Sequence, residues 1–215
     1  MSAVLGEMSK AVIEGDLGRI VALTEAALKE GIAPKEVLQQ GLMAGMEVVG
    51  SRFKAGDMFV PEVLLSAKTM QTALTILKPR LASSGAKMRG IIVLGTVEGD
   101  LHTIGKSLVG MMMEGAGFEV YDVGVDVSPE KFVEAIKDKK PDIVGMSALL
   151  TTTMLAMKRT VDAINEAGLR DRVKIMVGGA PLSSEFAKQI GADGYGSNAA
   201  TAADMAKSFM DSSRS

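Results

Sequence analysis

From Ser2 to about Arg80 the apolar positions recur at helical spacing, as in Ile13, Leu17, Ile20, Leu23, Ala27 and Leu28, with no strand-like alternation. This half predicts a bundle of four helices, near 2–14, 16–30, 34–54 and 60–78. The punctuation agrees. Asp16 suits the opening of one helix and Gly31 its close, Pro34 and Pro61 suit the first turns of two others, and Pro79 is expected to end the last. The segment LASSGAKM reads as a small, polar connector, which puts a domain boundary near residue 87.

Beyond it the period changes. Short apolar runs rich in β-branched residues, Gly90–Leu94, Phe118–Val123, Asp142–Met146 and Val173–Val177, alternate with stretches of helical length. A weaker fifth run covers Gly191–Gly196, and a helix is expected from about Ala199 to Met210. Repeated strand-helix units imply a parallel sheet. The expected fold class is therefore α/β: a four-helix bundle over 1–87, including its linker, then a flavodoxin- or Rossmann-like doubly wound five-stranded parallel sheet over 88–215. With strand order 2-1-3-4-5, the loops after strands one and three lie side by side at the carboxyl edge, where such sheets bind ligands.

Composition narrows the chemistry. The 24 basic and 26 acidic residues are interspersed, so no basic stripe suggests a nucleic-acid partner. No run reaches the roughly 18 apolar residues of a membrane span, and MSAVLGEMSK lacks a basic segment followed by an apolar one, so a cytoplasmic protein is expected. With no cysteine, disulfides, thiolate metal sites and cysteine nucleophiles are excluded, and a nitrogen-ligated metal has one histidine to use. The 16 methionines read mainly as adaptable core filler.

That histidine, His102, lies in the loop after the first strand, GTVEGDLHTIGKSLVG, two residues after Asp100 and between Gly99 and Gly105. A metal-ligating imidazole commonly donates its other ring proton to a carboxylate, and Asp100 could serve if the loop is extended. Equally, Asp100 could cap the following helix near Thr103, leaving His102 a bystander. The loop after the third strand, MSALLTTTM, carries Ser147, Thr151, Thr152 and Thr153, which by themselves are common turn and cap formers. After the fourth strand comes Val177-Gly178-Gly179-Ala180-Pro181, where paired glycines admit either a close ligand or an ordinary turn.

Taken together these residues resemble a known family. Asp100-Leu101-His102-Thr103-Ile104-Gly105 has the D-x-H-x-x-G form of cobalamin-binding domains, and Ser147-Ala148-Leu149 and Gly178-Gly179 stand where those domains carry their S-x-L and glycine pair. Gly45-Met46-Glu47-Val48-Val49-Gly50, Phe53, Gly56, Met58-Phe59-Val60-Pro61 and Glu62 resemble the helical cap ahead of that domain in cobalamin-dependent methionine synthase and in methyltransferase cognate corrinoid proteins of the methylamine, methanol and O-demethylase type. The resemblance runs from about residue 5 to 210.

The resemblance implies a cobalamin cofactor bound base-off, with His102 as lower ligand to cobalt and Asp100 hydrogen-bonded behind it. Thr153 stands where methionine synthase continues that relay with a serine. Gly99, Leu101, Thr103, Ile104 and Gly105 would surround the ligand, and Ser147 would contact the buried nucleotide tail. Leu149 and Thr151 would line the channel, Gly178, Gly179 and Ala180 would let the tail pass, and Tyr195 and Ala199 would close its far end. Phe59, Val60 and Val63 would cover the upper face of cobalt, with bundle core as their alternative role.

The implied activity is that of a carrier and not of a catalyst by itself. It accepts a methyl group on cobalt(I) from a substrate-specific methyltransferase, holds it as methylcobalamin, and delivers it to a methylcorrinoid:folate or methylcorrinoid:thiol methyltransferase. A reductive-activation protein is a further implied partner. Ser83-Ser84-Gly85 reads as a hinge for cap movement. Competing readings are a cobalamin-dependent sensor or regulatory module, the cobalamin subunit of a mutase, and a flavodoxin-like or receiver-type domain.

Overall fold

The computed structural model describes residues 2–83 and 88–212. Ser84, Gly85 and the boundary at residue 87 lie outside them. The chain divides into two compact units, Met1–Met88 with Glu114–Gly117, and Arg89–Met113 with Phe118–Ser215.

The first unit is helical. Helix α1 (Ala3–Glu14) buries Leu5, Met8, Ala11 and Val12, and α2 (Leu17–Lys29) buries Ile20, Thr24 and Ala27, stripes at the three- and four-residue spacing of one helix face. Asp16 opens α2 by accepting the Arg19 N–H at 3.0 Å. Residues 34–55 form one helical rod, but not the uniform α-helix expected: a short α3 (Pro34–Glu36) passes into a π-helical stretch, Val37–Met43, before α4 (Ala44–Ala55). Helix α5 (Val60–Ser83) packs on α1, α2 and α4.

Helix α5 does not stop at Pro79 as its sequence suggests; the proline lies inside it. A proline near the end of a helix forfeits one ladder bond, that to the carbonyl of Thr75. Leu81, buried beyond the proline, rewards the added turn. No helix of the described residues is long and apolar enough to cross a membrane.

In the second unit, β1 (Ile91–Thr96), β2 (Glu119–Asp122), β3 (Ile143–Ser147), β4 (Lys174–Gly178) and β5 (Gly194–Gly196) form a parallel sheet in the expected order β2-β1-β3-β4-β5. The crossovers are α6 (Ile104–Gly115), α7 (Pro129–Lys139), α8 (Met154–Glu166) with a short 3-10 turn at Arg170–Arg172, and α9 (Ser184–Ile190); α10 (Ala199–Ser212) ends the described chain. Strand interiors are nearly continuous apolar runs, as a sheet covered on both faces requires; Ile92, Val93, Ile143, Val144 and Ile175 have no exposed surface.

Strand β5 is shorter than expected, because Gly191 terminates α9 in the left-handed conformation (φ 82°) before the strand can begin. Strands β1, β3 and β4 instead run one or two residues further than their apolar runs suggest. Their ends then fall in one row, with Thr96 opposite Ser147, Ser147 opposite Gly178 and Gly178 opposite Gly196. Every loop leaving the carboxyl edge near the switch between β1 and β3 thus departs from the same level.

Packing within the helical unit generates one prediction. A Cβ on Gly45 would lie 2.8 Å from both the Ser9 carbonyl oxygen and Val12 Cβ, so α4 approaches α1 as closely as backbone allows. Gly45→Ala is expected to cost about 1–3 kcal/mol through overpacking. A urea midpoint equal to that of the unaltered protein would show that the two helices separate freely.

Candidate functional site

The loop after β1 is short and held from several sides. Val97 N–H donates to the Ser147 carbonyl at 3.0 Å, carrying the β1–β3 ladder one residue past the strands, and Asp100 N–H turns back onto the Val97 carbonyl at 3.1 Å. The Thr96 hydroxyl, buried, donates to the His102 carbonyl at 2.8 Å. This turn places the Asp100 side chain inward, with no exposed surface, while the His102 side chain remains half exposed at 51%.

The carboxylate is fully engaged. Oδ1 accepts the His102 backbone N–H at 3.0 Å and lies 2.7 Å from His102 Nδ1; Oδ2 accepts the Leu149 N–H at 2.7 Å and the Thr153 hydroxyl at 2.8 Å. Burial by itself would raise the Asp100 pKa. The hydrogen bonds from the His102 and Leu149 backbone, the His102 ring and Thr153 outweigh it and hold the carboxyl well below the ordinary carboxylate range. Asp100 is therefore ionised, and it grips His102 by both its backbone and its ring instead of capping the helix near Thr103.

With Nδ1 facing an ionised carboxylate, Nδ1 is the ring nitrogen that donates and Nε2 the one left for another partner. Nε2 makes no hydrogen bond among the described residues. Nor do three or more His, Asp or Glu side chains gather there as a metal site. A single imidazole suits one axial position on a metal that arrives already chelated, as the cobalt of a corrin does. The surroundings fit such a group. Leu101 and Ile104 are exposed to 71% and 76%, and Leu149, Leu150 and Leu155, from the loop after β3 and the first turn of α8, are exposed as well. An apolar ring of this kind on a polar surface marks a place that something covers.

Two glycines separate ligand space from internal packing. A Cβ on Gly105 would meet nothing within 4 Å, and its backbone is not left-handed, so nothing among the described residues calls for glycine there. Gly179 is the opposite case. Its φ is 140° and a Cβ there would sit 1.8 Å from the Ala148 carbonyl oxygen, so the loops after β3 and β4 touch through it. Gly178 ends β4 close to the Gly196 carbonyl.

The other residues singled out by sequence fall as follows. Gly99, Thr103 and Thr151 are exposed, Thr103 lying 3.3 Å from the Ser107 hydroxyl. Ser147 ends β3 half-buried, Ala180 is exposed, Tyr195 sits half-buried opposite Val177, and Ala199 is buried at the start of α10. In the helical unit Phe59 is exposed, its N–H donating to the Glu62 carboxylate at 2.8 Å; Val60 is exposed and Val63 buried. Sequence reasoning missed Thr96, the Leu149 N–H, and the ion pair from Arg159 on α8 to Glu98 in the histidine loop. A backbone donor and a threonine at the end of a strand carry no signal of their own.

Two predictions follow from the buried carboxylate. Thr153→Val leaves Asp100 Oδ2 one donor short inside the protein and is expected to cost about 1–3 kcal/mol in urea unfolding, while Thr153→Ser stays near the unaltered value. Equal midpoints for the valine and serine variants would remove the hydroxyl from the relay. Because folding lowers the Asp100 pKa from its ordinary value of 3.8, the unfolded chain binds more protons in acid. The stability this group contributes is complete above about pH 5 and is lost as the pH falls through the acid range. Asp100→Asn should therefore flatten the acid limb of a stability-against-pH curve, and an unchanged slope would contradict the assignment.

Known proteins resemble this chain over nearly its whole length. Residues 90–204 match the family described as B12 binding domain, and residues 4–78 match a second B12 binding domain family. The chain is 42% identical over 211 residues to a corrinoid protein of Desulfitobacterium hafniense (strain Y51), covering 97% of this chain and 98% of that one. It is 44% identical over 208 residues to dimethylamine corrinoid protein 2 of Methanosarcina acetivorans, covering 96% of each. A crystal structure of the methanol:cobalamin methyltransferase complex MtaBC from Methanosarcina barkeri contains a chain 33% identical to this one, with a TM-score of 0.86 over 97% of this chain and 80% of that chain. With both units matched and nearly every residue aligned, the chain belongs to the family of B12-binding corrinoid proteins.

Proposed function

We propose that this protein is the corrinoid carrier of a methyl-transfer system, and that His102 Nε2 is the lower axial ligand of its cobalt. The observation that carries the reading is the Thr153–Asp100–His102 chain of hydrogen bonds, which ends on a ring nitrogen left open within an exposed apolar surface. Bound cobalamin supplies a metal centre able to accept and release a methyl group. The protein would supply its placement: His102 would hold the group through Nε2, Asp100 and Thr153 orient the ring, Leu101 and Ile104 would keep water from it, and Leu149 would line the channel.

In this reading the α/β domain over 88–215 holds the cofactor. Ser147, Thr151, Gly178, Gly179, Ala180, Tyr195 and Ala199 line the way taken by its nucleotide tail. Phe59 and Val60, exposed on the helical domain over 1–87, are the apolar residues of that domain available to a bound group, whereas Val63 is buried. The methyl group comes from a substrate bound by a separate methyltransferase, the kind of partner named in the methanol:cobalamin methyltransferase complex. It leaves through a second methyltransferase acting on a folate or a thiol, with a reductive-activation protein restoring the metal after oxidation. Substrate choice then resides in the partner, and the chain works in the cytoplasm.

The test is reconstitution with hydroxocobalamin of the unaltered protein and of His102→Ala, followed by electron paramagnetic resonance of the cobalt(II) state. Stoichiometric binding with splitting from an imidazole nitrogen is expected for the first, and loss of that splitting for the second. If neither protein retains corrinoid, the reading fails.

A further inference from the structure

The loop between β2 and α7 holds a residue that neither the motif nor the hydrogen-bond relay includes. Asp126 has φ 52°, in the left-handed region that residues other than glycine seldom occupy. Its carboxylate Oδ1 accepts the Gly99 N–H at 2.7 Å, and its own N–H donates to the Asp100 carbonyl at 3.0 Å. One residue thus closes a two-way clasp on Gly99 and Asp100, through the N–H of the first and the carbonyl of the second, just ahead of His102. Around it the Thr96 N–H donates to the Gly124 carbonyl and the Val127 N–H to the Thr96 carbonyl, both at 3.0 Å. Asp122 at the end of β2 accepts from the Gly124 N–H and from the buried ammonium of Lys106 in α6. The loop after β2 is therefore fastened to both sides of the histidine segment, at the end of β1 and at the start of α6.

A glycine would adopt the Asp126 backbone conformation at less cost, so what aspartate adds is its side chain. That side chain is exposed and fills no core. The one hydrogen bond it makes reaches Gly99, whose neighbour is the buried Asp100.

We propose that Asp126 is a positioning residue for the His102 ligand. By clasping Gly99 and Asp100 it fixes where the Asp100 carboxylate stands, and so the orientation of the imidazole and the height of Nε2, before any cofactor arrives. The inference rests on the reading of His102 as a cobalt ligand. It assigns a working part to a third strand-end loop, that of the β2 edge, whose residues do not touch the imidazole.

The experiment compares the unaltered protein with Asp126→Gly, which keeps the backbone conformation and the N–H to the Asp100 carbonyl but deletes the carboxylate that holds Gly99, and Asp126→Asn, which keeps an acceptor oxygen and tolerates left-handed φ. Amide hydrogen exchange at Gly99 is measured without cofactor, and the nitrogen splitting of the cobalt(II) state is measured after reconstitution with hydroxocobalamin. In the glycine variant the Gly99 amide is expected to exchange roughly tenfold faster or more. Its cobalt(II) spectrum should divide between histidine-ligated and unligated forms, with no fall in thermal stability; the asparagine variant should match the unaltered protein in both measurements. A glycine variant with unchanged exchange and unchanged splitting, or an asparagine variant as impaired as the glycine one, overturns the proposal alone. An unaltered protein that binds corrinoid without nitrogen splitting overturns the ligand reading and this inference with it.

Discussion

A carboxylate with no exposed surface stands where the loops after β1 and β3 meet, and its two oxygens bring those loops together. Oδ1 takes the backbone and ring of His102, while Oδ2 takes the Leu149 N–H and the Thr153 hydroxyl, two groups about fifty residues away in sequence. An ionised group without water must have nearly all its acceptor sites filled, or burial costs more than folding can offset. That demand makes the position of His102 a property of the tertiary structure and not of its own flexible loop. It also fixes the ring's orientation, since a carboxylate at Nδ1 leaves Nε2 as the atom free for another partner.

The sheet makes this junction possible. Parallel pairing of β1 with β3 and of β3 with β4 brings Thr96, Ser147 and Gly178 into one row, so three loops start from the same edge. Their glycines do different work. Gly179 is required by the chain itself, which could not close the loops after β3 and β4 against each other around a side chain, whereas the open space at Gly105 matches an approach from outside. A glycine in a family motif is thus as readily a packing requirement as a ligand requirement, and the two are told apart only by what a Cβ would meet.

In the helical unit the same logic acts between helices. Gly41 and Gly45, one turn apart, bring the 34–55 rod against Met8, Ser9 and Val12 of α1, and the π-helical stretch Val37–Met43 includes the first of these contacts. A uniform α-helix was the natural expectation for 34–54, because hydrophobic spacing over a few turns cannot distinguish a 3.6-residue repeat from a locally wider one. Pro79 misled for a related reason. Propensity weighs a proline against continuation, but the burial of Leu81 beyond it is decided only in the assembled bundle.

The sequence by itself determined the change of period between the two halves, the parallel order of the sheet, and the chemistry available: a lone histidine two residues from an aspartate at a strand end, with serine and paired glycines at the next two strand ends. These were legible because periodicity and residue type are local properties, and because the D-x-H-x-x-G run is compact. What only the tertiary structure decided were the partners of that aspartate. Thr153 reads as a relay member or a turn former, and its hydroxyl lies within reach of both Asp100 Oδ2 and the Leu150 carbonyl, at 2.8 and 2.9 Å; the Leu149 N–H, the Thr96 hydroxyl and the clasp from Asp126 have no sequence signature. Backbone donors look alike in every sequence, and which of them reaches a buried charge depends on how strands distant in the chain align.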